Sequence, residues 1–308
     1  MKPVFQTFAI LLLFCMVLAC KGPENKLENN MTTQNPLDSP EARQHLFYPR
    51  TSSKTDPPAG AVNIDVEVEP GITIGCRLFT ADKQSPTILF FHGNGEIVSD
   101  YDDIGPLYAQ HNINFLVIDF RGYGWSNGIP SASSLLADSR VLYEKLKQYL
   151  ADNGYSPFIF IMGRSLGSAS AIEIASVYND EIKGLIIESG FAETLPLART
   201  LGIDSAILSN LSEEQTFNNG GKISNVTSPT FLLHGQLDNL IPLWQAEKLH
   251  AECGARSKEL QVVPGADHNS LIAVGGMYYF QAIQQFVDRV SGTSDWRKQR
   301  RKFKENNQ

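Results

Sequence analysis

The chain has 308 residues, 42% of them hydrophobic and 19% charged, with a formal net charge of −7. That length is ample for one large core, and the acidic balance argues against nucleic acid as a partner. The charge is uneven, because Asp295 to Gln308 hold six basic side chains against two acidic ones, which leaves −11 for the remainder.

The first nineteen residues read as a signal segment. Lys2 supplies a positive end, and Phe8 to Ala19 is an unbroken apolar run of twelve residues. A spanning helix needs roughly 20 such residues, so the run fits the core of a secretory signal. Val17-Leu18-Ala19-Cys20 resembles the lipobox of bacterial lipoproteins, which implies cleavage before Cys20 and its lipidation. By that resemblance the protein is exported and membrane-anchored through lipid. Lys21 stands where Asp would favour the inner membrane, which by the same resemblance implies the outer membrane if the source is Gram-negative. The bland alternative is a short uncleaved anchor, and it too leaves the rest of the chain outside the cytoplasm. Residues 20–43 are rich in Asn, Gln, Thr, Pro, Glu and Lys and are expected to form a flexible tether.

One domain is expected over residues 44–292, followed by a basic tail, 293–308, read as a solvated end, with contact to anionic lipid or acidic glycan as the alternative. Two hairpin-like strands, Val62 to Val68 and Ile72 to Phe79, flank the turn Glu69-Pro70-Gly71. Strand and helix then alternate: Thr87 to Phe91, a helix near Ile97 to Gln110, Asn114 to Phe120, and a helix over Ser133 to Leu150. An apolar strand, Phe158 to Met162, a helix from Ser168, and the strand Lys183 to Glu188 follow. After an interruption over 191–226 come Thr230 to Gly235, Leu260 to Val263, and a last helix from about His268 or Asn269 into Val290. Alternation of this kind implies a mostly parallel sheet of about eight strands, covered by helices on both faces. The interruption after the sixth strand is either a small lid or a short helical connection. Cys76 and Cys253 are expected far apart, as two buried, unpaired thiols.

Gly163-Arg164-Ser165-Leu166-Gly167 sits between a strand and a helix, the setting in which G-x-S-x-G forms a nucleophile elbow. The glycines permit a sharp turn, Ser165 stands at its tip, and the Leu166 N–H faces a substrate oxygen. Asp238 and His268 each follow a later strand, and serine, acid, histidine is the chain order of α/β-hydrolase triads. His268 is the candidate base and Asp238 the group that orients it. Glu188 and Asp267 are the rival acids. His92-Gly93-Asn94-Gly95 follows the third strand, where the Asn94 N–H would supply the second half of an oxyanion hole. His92 and His234 are read as loop-fixing, and histidines 45, 111 and 250 as solvated. Asp119 and Arg121 are read as bracing the loops, with Tyr123 and Trp125 braced or near the mouth of the pocket.

Together with Phe47-Tyr48-Pro49 and Asp119-Phe120-Arg121-Gly122-Tyr123-Gly124, these motifs resemble the α/β-hydrolase superfamily from about Phe47 to Val290. More narrowly they resemble its bud-emergence-type members, relatives of the prolyl-oligopeptidase branch that are similar to protein depalmitoylases. Gly95 stands where those relatives usually have Ala. The resemblance implies the α/β-hydrolase fold and a serine hydrolase that needs neither cofactor nor metal. The expected activity is hydrolysis of an ester or thioester of a small-molecule or acyl substrate through an acyl-enzyme. A serine peptidase of the prolyl-oligopeptidase-like type and a non-catalytic envelope lipoprotein are the competing readings. Substrate identity and oligomeric state are left open.

Overall fold

The computed structural model describes residues 35–292. The expected signal segment, Cys20 and the basic tail lie outside them. Strands β1 (Ala61–Glu69), β2 (Ile72–Phe79), β3 (Thr87–Phe91), β4 (Asn114–Ile118), β5 (Ile159–Arg164), β6 (Gly184–Glu188), β7 (Thr230–Gly235) and β8 (Lys258–Val263) form one sheet. Its order is β1-β2-β4-β3-β5-β6-β7-β8. β1 and β2 pair antiparallel with each other, and β2 with β4; every later pairing is parallel. The α/β-hydrolase architecture read from the sequence is the one observed.

The central strands are apolar through their middles, with Thr87, Asn114, Arg164 and Glu188 at their ends, because both of their faces are covered. Successive side chains point to opposite faces, so each strand feeds two cores. Leu89, Phe91, Leu116, Ile118, Ile161 and Ile187 enter one, while Ile88, Phe90, Phe115, Val117, Phe160 and Ile186 enter the other. The helices are α1 (Pro40–Leu46), α2 (Gly105–Gln110), α3 (Ala132–Asp152), α4 (Gly167–Val177), α5 (Thr194–Thr200), α6 (Ser205–Leu208), α7 (Asn219–Ile223), α8 (Trp244–Glu252), α9 (Leu271–Gly275) and α10 (Met277–Ser291). α10 buries Tyr279, Phe280, Ile283, Phe286 and Val287, the 3.6-residue stripe of a helix laid on a sheet. Residues 191–226 carry α5, α6 and α7, and they place Phe191, Ile203, Leu208 and Phe217 in the same core as α4. Cys76 and Cys253 are free, buried thiols, and burial raises the Cys76 pKa well above its ordinary value.

Two expectations need correction. The tether does not extend to residue 43, because residues 35–43 already belong to the fold. The Asn35 side chain accepts from the Leu37 N–H at 3.0 Å, and the Ser39 hydroxyl accepts from the Ala42 N–H at 3.2 Å. Ser39 thereby caps α1, with Pro40 in its first turn. Leu37 and Ala42 are fully buried, and burying a leucine stabilises by about 1.5–3 kcal/mol. Sparse apolar residues read as tether here, although each has a place in the core.

The last helix is also not continuous. Gly276 adopts φ +51°, ψ −134°, outside helical space, so the chain breaks into α9 and α10. That break lets the segment after His268 turn before α10 crosses the sheet.

Candidate active site

Ser165 directly follows β5 and has φ +51°, a left-handed conformation that a non-glycine residue adopts at a cost of about 1–3 kcal/mol. The surroundings hold it there. Its N–H donates to the Glu188 carbonyl at 2.9 Å, and its own carbonyl accepts from the Ser168 hydroxyl at 2.6 Å. Gly163 and Gly167 are required by close approach: a Cβ on Gly163 would lie 2.2 Å from the Gly167 carbonyl oxygen. One on Gly167 would lie 2.1 Å from that of Phe91. Strand, strained serine and small-residue helix thus form the expected elbow.

Asp238 and His268 reach Ser165 because their loops are laced together. The N–H groups of Gln236 and Leu237 donate to the carbonyls of Val263 and Ala266, at 3.1 and 2.8 Å. His268 Nδ1–H donates to Asp238 Oδ2 at 2.7 Å. The Ser165 hydroxyl lies 3.0 Å from His268 Nε2. A carboxylate accepts only, so Nδ1 carries the proton and the Nε2 lone pair faces the serine. The other Asp238 oxygen, Oδ1, accepts from the N–H groups of Leu240 and Ile241 at 3.0 and 2.8 Å. All three side chains are buried.

The rival acids are engaged elsewhere. Glu188 accepts from Arg164 Nε at 3.1 Å and from the Tyr279 hydroxyl at 2.5 Å. Asp267 accepts from the Ser270 hydroxyl and the Asn269 N–H, a local turn. Asn94 has its side chain locked: Oδ1 accepts from the Tyr48 N–H at 2.8 Å and the Tyr123 hydroxyl at 2.7 Å, while Nδ2 donates to the Leu46 carbonyl. The backbone N–H groups of Asn94 and Leu166 donate to no acceptor among the described residues. They are the only parts of those residues suited to receive a developing oxyanion.

A family profile described as serine aminopeptidase, S33, matches residues 82–223, a stretch that includes Ser165 but ends before Asp238 and His268. Protein bem46 of Schizosaccharomyces pombe is 30% identical over 208 residues, covering 67% of this chain and 68% of its own. The chain belongs to the α/β-hydrolase family. Alpha/beta hydrolase domain-containing protein 17C of Xenopus tropicalis is 30% identical over 230 residues, 71% of this chain and 67% of that one. An esterase of Pyrococcus furiosus superposes with a TM-score of 0.64 at 19% identity, covering 79% of this chain and 98% of that one. That likeness is one of fold.

Around this α/β-hydrolase site the remaining motif residues act as braces. His92 lies against the Gly93 carbonyl at 2.8 Å and Asp119 at 3.2 Å, and Asp119 also accepts from the Val98 N–H. Arg121 pairs with Asp138 and Glu69, and Trp125 Nε1 donates to Asp65. Tyr123 is fully buried and braces Asn94, so it does not line a pocket mouth. His111 is buried and His45 only half-buried, so neither is simply solvated as expected. Their Nδ1 atoms donate to the carbonyls of Leu201 and Leu107, at 3.0 and 2.8 Å.

His234 donates Nε2–H to the Ile241 carbonyl at 2.7 Å, its buried Nδ1 has no partner among the described residues, and burial lowers its pKa below the ordinary 6.5. Above that pH the ring is neutral in folded and unfolded chains alike. As pH falls below it, the unfolded chain takes up a proton that the folded one resists, so stability falls. We expect the Tm of the wild type to drop more steeply than that of His234→Gln between pH 6.5 and roughly pH 5. Thermal melts with equal slopes would contradict this.

Sequence reasoning missed Arg164, the variable position inside the glycine-serine motif. It is buried among carboxylates, and nothing in the pattern around it marked that role.

Proposed function

We propose that this α/β-hydrolase cleaves carboxylic esters or thioesters through a covalent acyl-enzyme. The observation that carries the reading is the unbroken chain Asp238 Oδ2, His268 Nδ1, His268 Nε2, Ser165 Oγ, with contacts of 2.7 and 3.0 Å. Ser165 attacks the carbonyl carbon as its proton passes to His268 Nε2. The carbonyl oxygen becomes an oxyanion, received by the N–H groups of Asn94 and Leu166. Asp238 stabilises the imidazolium without taking its proton. The tetrahedral intermediate collapses, the bond to the alcohol or thiol breaks, and the leaving group takes the proton from His268. Water then attacks the acyl-serine, giving its proton to His268, and the acid departs as Ser165 recovers its hydrogen.

A second reading, hydrolysis of an N-terminal peptide bond, is favoured by the serine aminopeptidase description of the matching profile. Matched p-nitrophenyl esters, acyl thioesters and aminoacyl p-nitroanilides, offered to the purified protein, separate the two. The expected result is turnover of esters and thioesters that stops once a fluorophosphonate has labelled the enzyme. Turnover of the anilides alone would replace esterase with peptidase.

A further inference from the structure

Arg164 precedes Ser165 and makes four hydrogen bonds to three separate segments of the chain. Nε donates to Glu188 Oε1 at 3.1 Å, and Nη1 donates to Glu96 Oε1. Nη2 donates to the carbonyl oxygen of His268 at 2.9 Å and to Asn269 Oδ1 at 3.1 Å. These partners belong to three different parts of the site. The Glu188 carbonyl holds the Ser165 N–H. Glu96 Oε2 accepts the N–H of Gly93, the residue before Asn94, at 2.8 Å. A Cβ on Gly93 would come within 2.5 Å of Arg164 Nη1, so the guanidinium passes directly under that loop. The His268 carbonyl belongs to the base itself.

We propose that Arg164 is a positioning residue that holds the nucleophile elbow, the oxyanion loop and the base loop in one register. This rests on the hydrolytic reading above. Only a guanidinium has the planar fan of donors to reach all these acceptors at once; a lysine ammonium on its flexible stem is a point charge. Glu188 and Tyr279 on one side, and Glu96 with Tyr101 on the other, fix the guanidinium in turn. Burial opposes its charge, but Glu96 and Glu188 outweigh that and keep its pKa above the ordinary value. A displacement of about 1 Å among reacting groups is enough to slow a reaction about 10²-fold.

A cavity of about 350 Å³, lined in part by Arg164, Glu96, Glu188, Asn269 and Ile272, adjoins this cluster. It gives a soluble guanidinium ion access if the side chain is removed. The test compares kcat and KM for a p-nitrophenyl ester, together with Tm, in the full-length wild type, Arg164→Lys and Arg164→Ala. For Arg164→Lys we expect kcat to fall about 10²-fold with KM nearly unchanged. In Arg164→Ala, guanidinium ion far below denaturing concentration is expected to restore kcat, and methylammonium is not. Arg164→Met/Glu188→Gln, which removes one charge of each sign, is expected to regain Tm but not kcat. Wild-type kcat in Arg164→Lys, or in the charge-balanced pair, would show that Arg164 only balances buried charge. If Arg164→Ala fails to fold, those two variants decide the matter. A folded wild type that neither turns over esters nor takes up fluorophosphonate would instead refute the hydrolytic reading, and the positioning role with it.

Discussion

Ser165→Ala lowers the turnover of an activated ester by about 10⁶-fold, and adding His268→Ala to it costs almost nothing further. The non-additivity follows from the geometry. His268 Nε2 acts on the reaction only through the Ser165 hydroxyl 3.0 Å away, so once that oxygen is gone the imidazole has no proton to accept. A residual rate of about 10³–10⁴ over water remains, because the backbone donors of Asn94 and Leu166 are untouched by either substitution. Ser165 at φ +51° carries strain that alanine shares, so neither variant is expected to gain much stability. Steady-state rates of the two single variants and the double variant, with circular dichroism to show that each folds, check the prediction. Additive losses would mean that serine and histidine act independently. A Ser165→Ala protein with more than a few per cent of wild-type turnover would place the nucleophile elsewhere.

The second large effect is that of Asp238→Asn, an expected loss of about 10⁴-fold in kcat with the fold intact. Its cause lies in the acid's other hydrogen bonds. Leu240 and Ile241 both aim N–H donors at Oδ1. In an asparagine that position must remain the oxygen, so the amide NH₂ takes the place of Oδ2, facing His268 Nδ1. A donor there forces Nδ1 to accept and moves the ring proton to Nε2, where it faces Ser165. The histidine then holds the wrong tautomer and cannot act as base. Glu188→Gln is the control among carboxylates. Its side chain serves Arg164 and Tyr279, and a carboxamide still offers an oxygen to the guanidinium, so the expected loss is roughly tenfold or less. Near-normal turnover in Asp238→Asn with collapse in Glu188→Gln would reverse the assignment of the acid.

Much of this site is legible before folding because its parts are local. A glycine-flanked serine between an apolar strand and a run of small residues admits few conformations. Gly163 and Gly167 confirm why, since any side chain there would strike the Gly167 or Phe91 backbone. The choice of Asp238 over Glu188 is legible only in part. Chain order favours it, but Glu188 also ends a strand, one position removed from the nucleophile strand in the sheet. Its engagement with Arg164 and Tyr279 joins residues 24 and 91 positions apart, a separation that no periodicity reveals.

By itself the sequence determined the strands and the order in which nucleophile, acid and base appear. Apolar runs of five or six residues between turn residues, rich in Ile and Phe, are too short for helices and suit the buried strands of a covered sheet. Only the tertiary structure decided three further matters. Residues 35–43 belong to the fold because α1 finds a cap at Ser39 and a buried seat for Leu37 and Ala42. The last helix breaks at Gly276, where the chain must turn away from the site. Arg164 is drawn beneath the site by two glutamates and a carbonyl brought together from distant parts of the chain. Local pattern specifies what a segment can become, while burial and pairing of charge depend on neighbours that exist only after the chain has closed on itself.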